Sequence, residues 1–142
     1  MARVDFYVLQ AAGESARQQF ACRLAEKAYR LRNTVHICTA DRPSAELLDD
    51  LLWTFRDGSF VPHELVGPGI ASGQAPVTIA DVSVAGTGSD LLINLGPSAA
   101  PDSGSFPRIA EIVTSDDQGR QESRRRYAHY RELGHILETH KL

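Results

Sequence analysis

The sequence predicts an α/β fold, a single Rossmann-like domain over residues 1–142 with a mostly parallel sheet and helices on both faces. Three observations predict it. Short apolar runs alternate with stretches of helical period along the chain. The runs are mostly unalternating, as in strands buried on both faces. With 42% hydrophobic and 23% charged residues among 142, the composition is that of one ordinary globular core.

The first strand is residues 4–9. Ser15 followed by Gln18 has the spacing of a capping box and opens a helix. Phe20, Leu24, Ala28 and Leu31, flanked by Ala21 and Ala25, form its apolar stripe. A second strand occupies residues 35–38. Asp41 and Pro43 then open another helix, in which Leu47, Leu48, Leu51, Leu52 and Phe55 recur at helical spacing until Asp57 and Gly58 end it. Residues 59–76, with a Gly-rich run at 67–73, read as a long loop. Residues 77–81 and 90–95 read as strands separated by a flexible turn at 85–89. After a loop at 97–105, residues 108–113 suit a last strand or a helical turn. Asp116 or Asp117 caps a final helix ending near Leu133, with Gly134 as its C′ residue. The last eight residues are expected to lie as a surface tail.

Several function classes are disfavoured. The apolar runs are far shorter than the ~20 residues that cross a bilayer, and no leader-like segment opens the chain, so a soluble cytoplasmic protein is expected. Cys22 and Cys38 fall in a helix and a buried strand, where thiols act as small apolar groups. After the first strand comes Gln10-Ala11-Ala12-Gly13-Glu14-Ser15, with one glycine and a carboxylate where a phosphate would sit. That disfavours a nucleotide-binding Rossmann-like enzyme. The five histidines have no metal-ligand spacing, and nothing nominates a nucleophile or a general base. No catalytic residue, cofactor or metal is expected. Residues 120–142 sum to +3 in a chain whose total is −3. A small basic region on an acidic body suits a local anionic partner better than a direct nucleic-acid-binding module, which would be basic overall.

Two features exceed what a core requires. On a helical wheel Trp53 falls roughly 170° from the leucine stripe of the second helix, and Ser59-Phe60-Val61-Pro62-His63 follows closely. Exposed aromatics of this kind anchor interfaces; the other reading is that the long loop folds back and buries Trp53. On the final helix Arg124, Tyr127, Ala128 and Arg131 share one stripe, and Arg126, Tyr130 and Leu133 another. Two guanidinium groups flanking a tyrosine suit a carboxylate attached to an apolar residue, whereas the plainer reading is a solvated basic face.

The start Val4-Asp5-Phe6-Tyr7-Val8-Leu9, the blocks Leu52-Trp53-Thr54-Phe55 and Ser59-Phe60-Val61-Pro62-His63, the strand Asp90-Leu91-Leu92-Ile93-Asn94-Leu95 and the helix with Arg124, Tyr127, Tyr130 and Arg131 resemble the chi subunits of bacterial DNA polymerase III. The likeness runs in order through nearly the whole chain. It implies a non-catalytic, cofactor-free α/β subunit that forms a heterodimer with a psi subunit, which ties it to the clamp loader. By the same resemblance Trp53, Phe60, Pro62 and His63 belong to the psi-facing surface, for which a repair helicase competes. Arg124, Tyr127, Arg131, Arg120 and Ala128 would receive the acidic, Phe-ending C-terminal tail of single-stranded-DNA-binding protein. Ala128 stands where the family often has Lys, and the strand-side wall of that pocket is left unassigned. The mechanism implied is tethering, without strong direct contact to nucleic acid.

Overall fold

The computed structural model describes residues 2–67, 75–84, 89–100 and 103–142. In chain order the elements are β1 (Arg3–Val8), α1 (Glu14–Arg30), β2 (Val35–Thr39), α2 (Arg42–Thr54), β3 (His63–Leu65), β4 (Val77–Asp81), β5 (Leu91–Leu95), β6 (Arg108–Val113), α3 (Asp117–Glu132) and β7 (Ile136–Lys141), with a 3-10 turn at Ser103–Ser105. The strands form one seven-stranded sheet in the order β3-β4-β2-β5-β6-β1-β7. Every pairing in it is parallel.

Strand alternation splits the core in two. Ile37, Ile93, Ala110 and Ile112 point to one face and pack with Ala21, Cys22, Ala25, Leu48 and Leu52 of α1 and α2. Phe6, Cys38, Leu92, Ile109 and Val113 point to the other and pack with Tyr130 of α3 and Phe106. Helices therefore cover both faces, as the unalternating runs predict. Cys22 and Cys38 are buried on opposite faces of the sheet, and burial pushes the Cys22 thiol up to about 12.

Local chemistry sets the helix ends. Asp41 caps α2 by accepting from the Ser44 amide at 2.9 Å, with Pro43 in the first turn. Asp116 caps α3 by accepting from the Gly119 amide at 3.0 Å. Past α3, Gly134 has φ 84°, a left-handed conformation that glycine adopts without steric cost.

Four expectations need correction. The capping box at Ser15 does not form: the N-cap of α1 is Gly13 at φ 90°, with no side-chain cap, and its amide instead donates to Asp116 at 3.2 Å. The long loop contains a strand, β3, whose three residues pair with β4. Leu31 and Leu47, placed on apolar stripes, are exposed, because α1 ends at Arg30 and Leu47 lies on the outer flank of α2. The last residues are not a tail. Residues 136–141 form β7, which pairs along β1 from Arg3↔Ile136 to Val8↔Lys141. A half-exposed edge strand mixes charged and apolar residues and so lacks the run by which inner strands are recognised. Most of the Gly-rich run and of the turn at 85–89 lies outside the described residues.

Candidate functional site

At the β3 edge, the last turn of α2 carries Trp53 and the approach to β3 carries Phe60. Trp53 is 49% exposed and Phe60 66%. Their ring centroids are 5.7 Å apart. The indole is therefore not buried, contrary to the second reading. Between Phe60 and Pro62, Val61 plugs the core, fixing the segment while Phe60 points out. Pro62 is half-buried. His63 is not available to a partner in the same way, being buried with its ring 4.3 Å from that of Trp53. Its Nδ1 lies 2.6 Å from the Val61 carbonyl oxygen and its Nε2 2.9 Å from that of Asp49. His63 therefore braces the surface from beneath.

A second brace joins this segment to α1. Glu26 is buried, pairs with Arg56 at 2.7 Å and Arg30 at 3.6 Å, and accepts from Ser59 Oγ. Burial alone would raise its pKa, but the Ser59 hydrogen bond and the two guanidinium groups hold the carboxyl below its ordinary value.

Near the β7 edge of the sheet, on α3, Arg120, Arg124, Tyr127, Ala128 and Arg131 are all exposed. The Tyr127 ring, 37% exposed, rests on Phe6 of β1 at 5.2 Å between centroids. Register places Thr139 beside Phe6 and Lys141 beside Val8. In a parallel pair, neighbouring side chains share a face. The wall left unassigned by sequence is thus β1 and β7, and Lys141 adds a cation to it. Among the described residues Arg120, Arg124, Arg131 and Lys141 have no carboxylate within 4.0 Å.

Arg126 and Tyr130, the other stripe, turn inward. Arg126 Nε lies 2.8 Å from Glu111 Oε1 on β6. Tyr130 donates to Glu111 Oε2 at 2.5 Å, and the Asn94 amide donates to it at 2.6 Å. Burial pushes the Glu111 carboxyl up, opposed by Arg126 and by the Tyr130 and Asn94 donors. This network orients α3 on the sheet and thereby sets which flank Tyr127 and Arg124 occupy. Glu111 escapes sequence reading, because a charged residue inside an apolar run gains meaning only once its distant partner is known.

Arg17 likewise finds its partners far away in the chain. Ligands of open parallel sheets commonly bind at the carboxyl ends of the strands. Here the buried Arg17 guanidinium donates to the carbonyls of Leu95 at 3.1 Å and of Asn94 and Gly96 at 3.4 Å. Its Nε donates to the Ile112 carbonyl at 3.3 Å. Beside it, a cavity of about 270 Å³ is lined by Glu14, Asp116 and Glu122 as well as Arg17 and Arg126. Carboxylates at that mouth repel a phosphate. Among the described residues no cluster of three or more His, Cys, Asp or Glu side chains is arranged to hold a metal ion. No described helix is long and apolar enough to cross a membrane.

Comparison with known proteins identifies the family. A family model described as "DNA polymerase III chi subunit, HolC" matches residues 1–138. DNA polymerase III subunit chi of Pseudomonas aeruginosa PAO1 is 42% identical over 142 residues, covering 100% of this chain and 98% of that protein. Its counterpart in Escherichia coli K12 is 35% identical, covering 98% and 97%, and that of Haemophilus influenzae Rd 32%, covering 95% and 94%. Among solved structures, T4 UvsW superposes with a TM-score of 0.72 at 8% identity, over 99% of this chain and 41% of that one. The C-terminal domain of the DEAD-box protein Dbp5 gives 0.65 at 12%, over 97% and 91%. At such identities these last two likenesses concern the fold alone.

Proposed function

Because this chain belongs to the DNA polymerase III chi subunit family, we propose that it is a non-catalytic bridging subunit of that polymerase, binding a psi subunit through Trp53 and Phe60 and the acidic tail of single-stranded-DNA-binding protein through Arg124 and Tyr127. One observation carries the reading. The exposed aromatic pair and the exposed Tyr127 flank lie toward opposite edges of the sheet, β3 and β7, whose axes are roughly 29 Å apart at ~4.8 Å per strand. Two partners engaged there would not collide. Holding both at once raises the local concentration of the polymerase at protein-coated template without a DNA-binding surface on this chain.

On the tail side, the terminal carboxylate meets Arg124, the final aromatic ring packs against Tyr127 and Phe6, and preceding acidic residues meet Arg120, Arg131 and Lys141. Lys141 supplies the charge that Ala128 does not. On the psi side, Trp53 and Phe60 are rigid aromatic anchors, pre-set by His63 and Glu26, that bury large area at low rotamer cost. A repair helicase using the same anchors would exclude psi.

The test uses the purified chain, the psi subunit and a synthetic tail peptide ending in acidic residues and Pro-Phe. Trp53→Ala or Phe60→Ala should cost ~2 kcal/mol or more in psi affinity and leave the peptide unaffected. Arg124→Ala should cost ~1.5–3 kcal/mol in peptide affinity, more at low salt, and leave psi unaffected. If the Trp53 and Phe60 substitutions, or Arg124→Ala, act on both partners equally or on neither, the bridge is refuted.

A further inference from the structure

A third surface lies on the reverse side of the sheet from Tyr127. α1 packs chiefly on β2, β5 and β6 and meets β1 through Phe20 on Tyr7. A cavity of about 720 Å³ remains there, floored by Tyr7 and Leu9 of β1 and walled by Phe20 and Leu24 of α1. It is held open by rings in mutual contact: Tyr7 lies 5.4 Å from Phe20 on one side and stacks on His140 at 5.1 Å on the other. No Asp or Glu lines it, and Arg23 and Lys27 stand on its rim.

Those two cations are distinctive within α1. Arg17 and Arg30 are paired with Glu14 and Glu26. Arg23 and Lys27 are exposed and, among the described residues, have no carboxylate within 4.0 Å. Arg23 instead lies 5.6 Å above the Phe20 ring, over the cavity wall. Like charges one turn apart repel, and in a chain of net charge −3 two unneutralised cations beside an apolar hollow complement an anion that carries an apolar group.

We propose that this groove docks an internal acidic segment of a partner protein, one bulky apolar side chain packing onto Tyr7, Phe20 and Leu24 while flanking carboxylates meet Arg23 and Lys27. The volume accommodates a large side chain and its backbone. The site is separate from the tail surface, and it requires no free carboxyl terminus.

Fluorescence anisotropy tests this with the full chain and a labelled, C-terminally amidated Asp-Asp-Leu-Phe-Asp-Asp peptide, lacking the terminal carboxylate on which the tail reading depends. The acidic peptide should bind, and the version with Asn replacing Asp should bind about tenfold more weakly. Arg23→Glu combined with Lys27→Glu should also weaken binding about tenfold or more, at an unchanged unfolding midpoint because both side chains are exposed. Leu24→Ala should weaken it through the apolar wall, whereas Arg124→Ala should leave it unchanged. The proposal is overturned by absence of binding, by an undiminished affinity in the charge-reversed variant, by equal binding of the Asn peptide, which would assign the hollow to an uncharged occupant, or by loss with Arg124→Ala, which would assign the peptide to the tail surface.

Discussion

Arg126 and Tyr127 are adjacent in sequence and opposite in role. Arg126 is 3% exposed and neutralises Glu111, while Tyr127 stands at the surface. Arg126→Ala would strand a fully buried carboxylate, and urea denaturation should report a loss of about 3–5 kcal/mol. A loss of peptide binding in that variant would therefore report a disturbed fold rather than a lost contact with the peptide. A second residue effect concerns acid. The hydrogen bond with Thr114, then the Gly119 and Gly13 amides, hold the Asp116 carboxyl at about 2, below its ordinary 3.8. A depressed carboxylate stabilises the fold fully above its unfolded value and loses that contribution as pH falls through the folded one. The loss thus falls between about pH 3.8 and 2. Asp116→Asn should keep only one of the two amide contacts, because Asn offers a single acceptor oxygen where the Gly119 and Gly13 amides use both carboxylate oxygens. Its unfolding midpoint should fall below the parent near neutrality and depend less on pH in that acid window, as a series of thermal melts would show.

At the scale of elements, what was legible in sequence is what is local. Asp41 and Pro43 mark the start of α2 by chemistry confined to one turn, and the helical period alone turns Trp53 outward. β7 was not legible, because its assignment rests on β1, far away in the chain, and its mixed exposure removes the apolar run. For the same reason the Arg124–Tyr127 stripe was readable and its strand-side wall was not, and His63 could be placed beside Trp53 but not beneath it. The edge position of β7 makes a directional prediction. Ile136 and Leu142 donate their amides to Ala2 and Val8 of the β1 region, so by the two-residue period of a parallel ladder Glu138 also faces β1 while Thr139 faces the open edge. Glu138→Pro should remove a ladder bond, cost about 1–3 kcal/mol and weaken tail-peptide binding with it. Thr139→Pro should cost less. Chemical denaturation of the two variants side by side checks the order.

For the molecule as a whole, the separation of the two surfaces predicts independence. The tail peptide should bind the isolated chain and its complex with psi with equal affinity, within about 0.5 kcal/mol, and paired calorimetric titrations would expose any coupling. The parallel sheet also governs how the molecule is made. β1 is synthesised first, yet its two neighbours are β6 and β7, and Arg3 meets Ile136 from 133 positions away. A topology of such high contact order folds slowly. While the ribosome translates the intervening elements, the nascent β1 presents two unsatisfied edges, the kind of surface that invites aggregation or chaperone capture. The wall beside Tyr127 is completed only when β7 arrives, so under the proposed reading polypeptides released before it should hold the tail more weakly than finished subunits.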